Sequence, residues 1–315
     1  MHRVWGPKDA KNPEVAVLLA TYNGERYIAE QIQSLVDQLY DRLILYVRDD
    51  GSSDRTIPLL LQVLEKSGRP MDLRLESGEH VGIPQSYFQL MEKADLSHDY
   101  YAFADQDDVW APTKMEHAVE MLARLDETVP LLYFCRQRFV TSDRRPLGSS
   151  PLVARPGLSN ALVQNPAKGC TQVFNRTAMA ILRKHLPKGI PYHDWWVYLT
   201  VAAFGQVIYD SRIQMDYRLH DASTVGETLG GVKRNVRRAI RVLIHGDFQA
   251  RRQAEIFLNI HGGALSKASK ETIERFVKAR GSMARRVRYA LSMDVRRLHR
   301  WETDMLRLLV VLGRY

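Results

Sequence analysis

Three carboxylates, Asp105, Asp107 and Asp108, fall within four consecutive positions directly after an apolar run, Tyr100 to Ala104. Repulsion among them is costly at the end of a strand, and a hard divalent cation resolves it. Mg2+ or Mn2+ takes oxygen ligands and bridges one or two carboxylates to substrate phosphates. The structural alternative is a solvated acidic turn capping a helix that starts near Pro112. A second acidic loop, Asp49-Asp50-Gly51-Ser52-Ser53-Asp54, follows another apolar run. Its acceptors suit a base or a ribose, with Asp50 the member expected to touch ligand, whereas Asp54 ahead of Thr56 reads mainly as helix initiation.

Two further residues stand out singly. Asp194 lies between His193 and Trp195, ahead of the strongly apolar segment Val197 to Phe204, which reads as a buried helix. A carboxylate at a helix start favours a structural cap; beside Trp195 and Trp196, able to stack on a sugar ring, it also fits chemistry. Core packing is the commoner fate of paired aromatics. His220 follows a predicted strand, Val207 to Met215, and precedes a polar loop containing Gly226, which puts it at the same edge and suits metal or phosphate contact.

The elements that must position these groups alternate. Val15 to Ala20 reads as a buried strand breaking at Thr21-Tyr22-Asn23-Gly24; Arg26 to Gln38 carries apolar residues at helical spacing; Leu43 to Val47 is a second strand. Thr56 to Lys66 is then helical, Met71 to Leu75 extended, Pro84 to Lys93 helical, and Tyr100 to Ala104 a strand. Such alternation predicts a Rossmann-like α/β domain with a mostly parallel sheet and helices on both faces. Ligands bind such sheets outside the carboxyl ends of the strands, where the loops after the first, second and fourth strands would meet.

After Gly230 the pattern becomes helix only, so the expected division is a catalytic domain over residues 1–230 and a basic amphipathic helical tail over 231–315. Val232, Val236, Ala239, Ile240, Leu243 and Ile244 form one stripe, with Lys233, Arg234, Arg237, Arg238 and Arg241 opposite. A similar pattern runs from Val287 through Leu291, Val295, Leu298, Met305 and Leu309. The net charge of +9 over 315 residues belongs to this tail: residues 1–230 hold 25 Lys+Arg against 29 Asp+Glu, and residues 231–315 hold 20 against 7. An acidic sheet domain argues against nucleic acid as partner; a basic helical tail suits the anionic surface of a membrane. Two cysteines, Cys135 and Cys170, are too few for a disulfide framework, and the apolar runs are far shorter than the ~20 residues of a membrane span. A cytoplasmic protein, peripheral on the inner face of the cytoplasmic membrane, is expected. Both cysteines are expected to pack rather than react.

Val17 to Gly24 (VLLATYNG), Asp49 to Asp54 (DDGSSD), Asp105 to Trp110 (DQDDVW), Gly169-Cys170, His193 to Trp196 (HDWW) and Tyr217 to His220 (YRLH) occur in the order seen in family 2 glycosyltransferases. The chain resembles the bacterial rhamnosyltransferase-like branch of that family over roughly residues 13–226. The resemblance implies a GT-A fold in which Thr21, Tyr22 and Asp50, with Asn23 in the same loop, line the nucleotide pocket. Asp105 and Asp107 then form the metal-associated element, and Gly82 is the glycine that lets backbone approach the nucleotide, or else a plain turn glycine. Asp194 matches the catalytic aspartate and His220 the histidine that completes the metal site. Lys114 and Arg218 sit where basic residues meet the diphosphate, although either suits a structural ion pair equally.

The implied reaction is an inverting transfer from a nucleotide-sugar donor, dTDP-rhamnose by resemblance, to a saccharide or polyprenyl-linked acceptor. Asp194 would serve as base and Mn2+ or Mg2+ as cofactor. One rival is a sugar-phosphate nucleotidyltransferase, for which Thr21 to Arg26 is a poor phosphate loop; another is a non-catalytic nucleotide-sugar-binding protein. Linkage and oligomeric state have no signature in the chain.

Overall fold

A computed structural model describes residues 12–219 and 248–315. Its centre is a nine-stranded sheet in the order β3-β2-β1-β4-β8-β6-β9-β5, with β7 hydrogen-bonded to the far part of β6. The first strands are β1 (Val15–Thr21), β2 (Leu43–Asp49), β3 (Asp72–Ser77) and β4 (Tyr100–Asp105). They pair in parallel and are linked by α1 (Ile28–Val36), α2 (Thr56–Lys66) and α3 (Ile83–Lys93). The apolar run of β1 is wholly buried because helices cover both faces of the sheet.

Parallel pairing is unbroken only in this half. β8 (Gln172–Asn175) runs antiparallel between β4 and β6 (Leu131–Val140), and the short β5 (Val109–Trp110) lies antiparallel to β9 (Gln206–Arg218), which itself pairs in parallel with β6. β7 (Pro146–Ser149) forms a hairpin with β6. The sheet is therefore mixed, and the loop carrying Asp107 is held between β4 and β5 rather than running straight into a helix. α4 (Lys114–Leu122) follows β5.

Register decides where the site lies. Thr21 pairs with Asp49 and Ala20 with Asp105, so the first, second and fourth strands end level and deliver their polar loops to one edge. Beyond β6 come the one-turn helix α5 (Leu158–Ala161), α6 (Arg176–Lys184) and α7 (His193–Phe204). α7 is apolar almost all round and buried on most sides. One face packs toward the sheet; the other meets the C-terminal helices.

Those helices are α8 (Gln249–His261), α9 (Lys267–Val277), α10 (Met283–Ser292) and α11 (Arg300–Leu312). Ala250, Ala254 and Phe257 of α8 share one core cluster with Trp196 and Val197 of α7 and Phe103 of β4. The Phe257 ring stands edge-on to Trp196 at 5.3 Å. Ser269 Oγ donates to the Ala203 carbonyl at 3.1 Å, and Asn160 Nδ2 donates to the Arg296 carbonyl at 3.1 Å. The tail from residue 248 onward thus packs onto the sheet domain's own core. The boundary at Gly230 and the stripe from Val232 to Ile244 lie outside the described residues.

The second expected stripe is corrected in part. Val295 and Leu309 are buried and Leu298 and Met305 pack against the core, but Leu291 is 82% exposed. The helix break at residues 293–299 resets the periodicity, so a stripe read straight through it does not stay on one face.

Candidate active site

The edge defined by the register holds Asp105 at the last position of β4, half-buried, with its Oδ1 accepting the Tyr87 hydroxyl at 2.6 Å. Burial, then the neighbouring charge of Asp107, pushes the Asp105 carboxyl up to about 6; the charge of Asp194 adds to this. These carboxylates come from two segments far apart in sequence, the loop after β4 and the start of α7, yet lie close enough to feel one another. Asp107 is half-buried in the same loop.

Asp108 turns the other way. It is 1% exposed; Oδ1 accepts the Arg218 backbone amide at 3.2 Å, and burial drives its carboxyl well above the usual range. Oδ2 has no oxygen or nitrogen partner and faces the Cys170 thiol, so that Asp105, Asp108 and Cys170 present potential ligand atoms within 4.8 Å of one another. A thiol is a poor ligand for Mg2+ or Mn2+. The hard oxygens of Asp105 and Asp107, partly open and mutually repulsive, fit such a cation better than this buried trio. His220, the other expected ligand, lies outside the described residues.

Asp194 occupies the first turn of α7. Its Oδ2 accepts the Gly169 amide at 2.9 Å and its Oδ1 the Trp195 amide at 2.7 Å. Gly169 suits this close approach: a β-carbon would stand 3.0 Å from His193 Nε2 and 3.4 Å from Asp194 Cβ, tight enough that a neighbour would have to shift. His193 is buried, its pKa lowered to about 4 by desolvation, and its ring stacks on Tyr87 at 3.9 Å. Tyr87 therefore touches both Asp105 and the residue beside Asp194, a bridging role that helical periodicity reveals only as one more core-facing aromatic.

The nucleotide-side loops interlock. Tyr22 is 43% exposed and its ring faces His80 at 4.1 Å, while Gln106 exchanges two hydrogen bonds with the Tyr22 backbone. Neither His80 nor Gln106 was singled out from sequence, because their partners are 58 and 84 positions away. Gly82 has φ +84° with open space where a side chain would sit, and its amide donates to Asp50 Oδ2 at 2.9 Å.

Several of the expected ligand residues also carry contacts within the protein. Asp50, 3% exposed, also accepts the Val81 amide and faces His80 Nδ1 at 2.9 Å, so it shapes the Gly82 loop. Thr21 is buried and donates to Asp49 Oδ1 at 2.9 Å; Asn23, at φ +45°, accepts the Ser53 amide through Oδ1. Trp195 packs against the core and spends its indole N–H on the Ala161 carbonyl at 2.6 Å. Lys114 is a correction. It is completely buried, donates to the Cys170 carbonyl at 2.8 Å and lies over the Trp110 ring at 3.2 Å, with burial lowering its pKa to about 8. Arg218 is another: 2% exposed, it donates through Nε to the Asp107 carbonyl at 2.9 Å and pairs with Glu30 at 3.0 Å. It holds the acidic loop from behind rather than reaching outward.

Comparison with known proteins agrees with this geometry. RfbG, a dTDP-rhamnosyl transferase of Shigella flexneri, is 25% identical over 226 residues, spanning 67% of this chain and 74% of its own. An uncharacterized glycosyltransferase of Haemophilus influenzae is 24% identical over 225 residues, 67% of each chain. Among solved structures, S. aureus TarS 1-349 in complex with UDP-GlcNAc superposes with a TM-score of 0.53 at 17% identity, over 96% of this chain and 93% of that one. The mannosyltransferase PcManGT from Pyrobaculum calidifontis, in complex with GDP-Man and Mn2+, gives 0.54 at 18% identity, over 98% and 88%. These likenesses place the fold as GT-A. The model of glycosyl transferase family 2 matches residues 16–186, more than half of the sequence, and with the carboxylate edge described above this chain belongs to that family.

Proposed function

We propose that the chain is a metal-dependent, inverting glycosyltransferase. It moves L-rhamnose from dTDP-L-rhamnose to a saccharide or polyprenyl-linked saccharide in bacterial surface polysaccharide synthesis. The observation that carries the reading is the convergence of Asp105, Asp107 and Asp194 at one sheet edge, close enough for two of them to raise the third. The similarity to the Shigella rhamnosyl transferase supports the donor.

In this reading Asp194 takes the proton of the acceptor hydroxyl as it attacks the anomeric carbon in line, a contribution of roughly 10²–10⁴-fold. Tyr22 and the Gly82 backbone face the nucleotide, and Asp50, Thr21, Asn23 and Arg218 hold those loops in place. Asp105 and Asp107, with His220 by resemblance, would hold Mn2+ or Mg2+, which when bound would supply positive charge to offset that of the departing diphosphate. No covalent enzyme intermediate is required.

Work at the inner face of the cytoplasmic membrane is supported by the charge of residues 231–315 and by α11. On that helix Trp301, Leu308 and Leu312 are exposed along one side while Leu306, Leu309 and Val310 are buried on the other. Among the described residues no helix is long and apolar enough to cross a membrane. A lipid-linked acceptor would then be met at the bilayer surface.

The test is a screen of dTDP-, UDP- and GDP-sugars with Mn2+, following thermal stabilisation and donor hydrolysis. Stabilisation and hydrolysis confined to dTDP-rhamnose is the expected result. Activity on another nucleotide sugar would move the donor assignment; release of diphosphate from a nucleoside triphosphate, with no sugar nucleotide turned over, would favour a nucleotidyltransferase.

A further inference from the structure

A cavity of about 270 Å³ opens at the seam between the loop Gly189–Pro191 and the start of α8, lined by Ile190, Pro191, Gln249, Arg252, Gln253 and Ile256. It is slightly below the roughly 300 Å³ lower bound of sites for drug-sized ligands, and so suits one small ring rather than an extended molecule. Its wall contains an unmet demand. Gln253 is 2% exposed, and its Oε1 is buried without a hydrogen-bond partner. A buried acceptor left alone is destabilising, so such a group calls for a donor from outside the chain.

The chemistry of that donor is restricted. An amide oxygen accepts, and therefore selects an O–H or N–H; a carboxylate offers only acceptors at neutral pH and a phosphate chiefly acceptors with a negative charge, so both satisfy it poorly. Ile190, Pro191 and Ile256 supply apolar surface for the C–H face of a ring, and the exposed Arg252 and Gln249 add donors at the mouth. A polyhydroxylated ring meets all three requirements.

The position is equally specific. Pro191 is three residues from Asp194, so their Cα atoms are no more than about 11 Å apart. Tyr192, between them in sequence, is 42% exposed, so an aromatic surface is available next to the cavity-lining segment. We propose that this cavity is an acceptor subsite that holds a saccharide unit adjoining the one that reacts at Asp194, with Gln253 accepting from a ring hydroxyl. The assignment rests on the glycosyltransferase reading above, and it makes the C-terminal helices part of acceptor recognition.

The experiment uses the full chain and a panel of methyl glycosides of rhamnose, glucose, galactose and N-acetylglucosamine, observed by saturation-transfer NMR. The variants are Gln253→Leu, which removes the acceptor atom, and Ile256→Trp, which fills the cavity from a half-buried position. At least one glycoside should bind wild type. Both variants should weaken it on the order of tenfold while keeping the wild-type thermal shift with dTDP, and inorganic phosphate should not compete. No binding by any glycoside, equal binding by both variants, or displacement by phosphate would overturn the subsite. If glycosides bind as expected but no nucleotide sugar binds or is hydrolysed, the subsite stands as a saccharide site and the transfer reading is what fails.

Discussion

The Asp194 carboxylate and the Gly169 amide are joined at 2.9 Å across 25 positions of sequence, and the other carboxylate oxygen holds the Trp195 amide. Cap and base are thus compatible in one side chain. Asp194→Asn should lose at least ~10² in turnover, the minimum expected of a general base. It should also cost about 1–3 kcal/mol of stability, because its NH2 must face one of two backbone donors. Turnover and melting temperature measured together separate the effects; a variant that is destabilised yet retains more than about a tenth of its activity would leave only the cap.

Asp107 is half-buried at the loop surface, so Asp107→Ala empties no core position. The variant should fold normally and lose the Mn2+-dependent part of nucleotide diphosphate binding. Calorimetry with and without Mn2+ decides it: an unchanged metal dependence would remove Asp107 from the metal site.

Lys114 offers a pH test. Burial lowers its folded pKa to about 8 from the ordinary 10.5, so between these values the unfolded chain carries a proton that the folded chain does not. Stability contributed at this position should rise as pH increases through that window and be least below pH 8. Lys114→Met removes the titration. The stability gap, followed by melting temperature, should therefore shift in favour of wild type from pH 7.5 to 9.5, by up to about 2 kcal/mol. Donor affinity should change little, since the amine is sealed under the loop; a large loss of donor affinity in a stable variant would restore the diphosphate role.

Binding to vesicles tests the tail. Residues 283–315 hold eight arginines and three acidic residues, and the exposed side of α11 carries Trp301, Leu308 and Leu312. Binding to vesicles containing anionic lipid should be salt-sensitive, at about 1 kcal/mol per basic residue near the surface. It should weaken when Arg234, Arg237, Arg238 and Arg241 are changed to Gln, and again with Trp301→Ser, Leu308→Ser and Leu312→Ser. Equal binding to neutral and anionic vesicles, or to neither, would leave the exposed side of α11 to contact between copies of the chain.

Much of the site's placement follows from local sequence. An apolar run ending in a polar loop, repeated with helices between, requires the loops of β1, β2 and β4 to emerge at one sheet edge, because side-chain period and strand length are local properties. The acidity of DQDD and the positive charge after residue 230 are also visible without coordinates. What only the tertiary structure decided is how each polar group is spent. Asp50 meets the amides of Val81 and Gly82, Arg218 clamps the Asp107 loop from the end of β9, and Lys114 is sealed beneath Cys170. Each of those contacts joins residues 31 or more apart, where periodicity carries no information. The same limit applies to the C-terminal helices. An apolar stripe specifies that a face must be covered, but the covering partner, here Trp196 and Phe204 of α7 for Phe257, is selected by packing of elements that are distant in the chain.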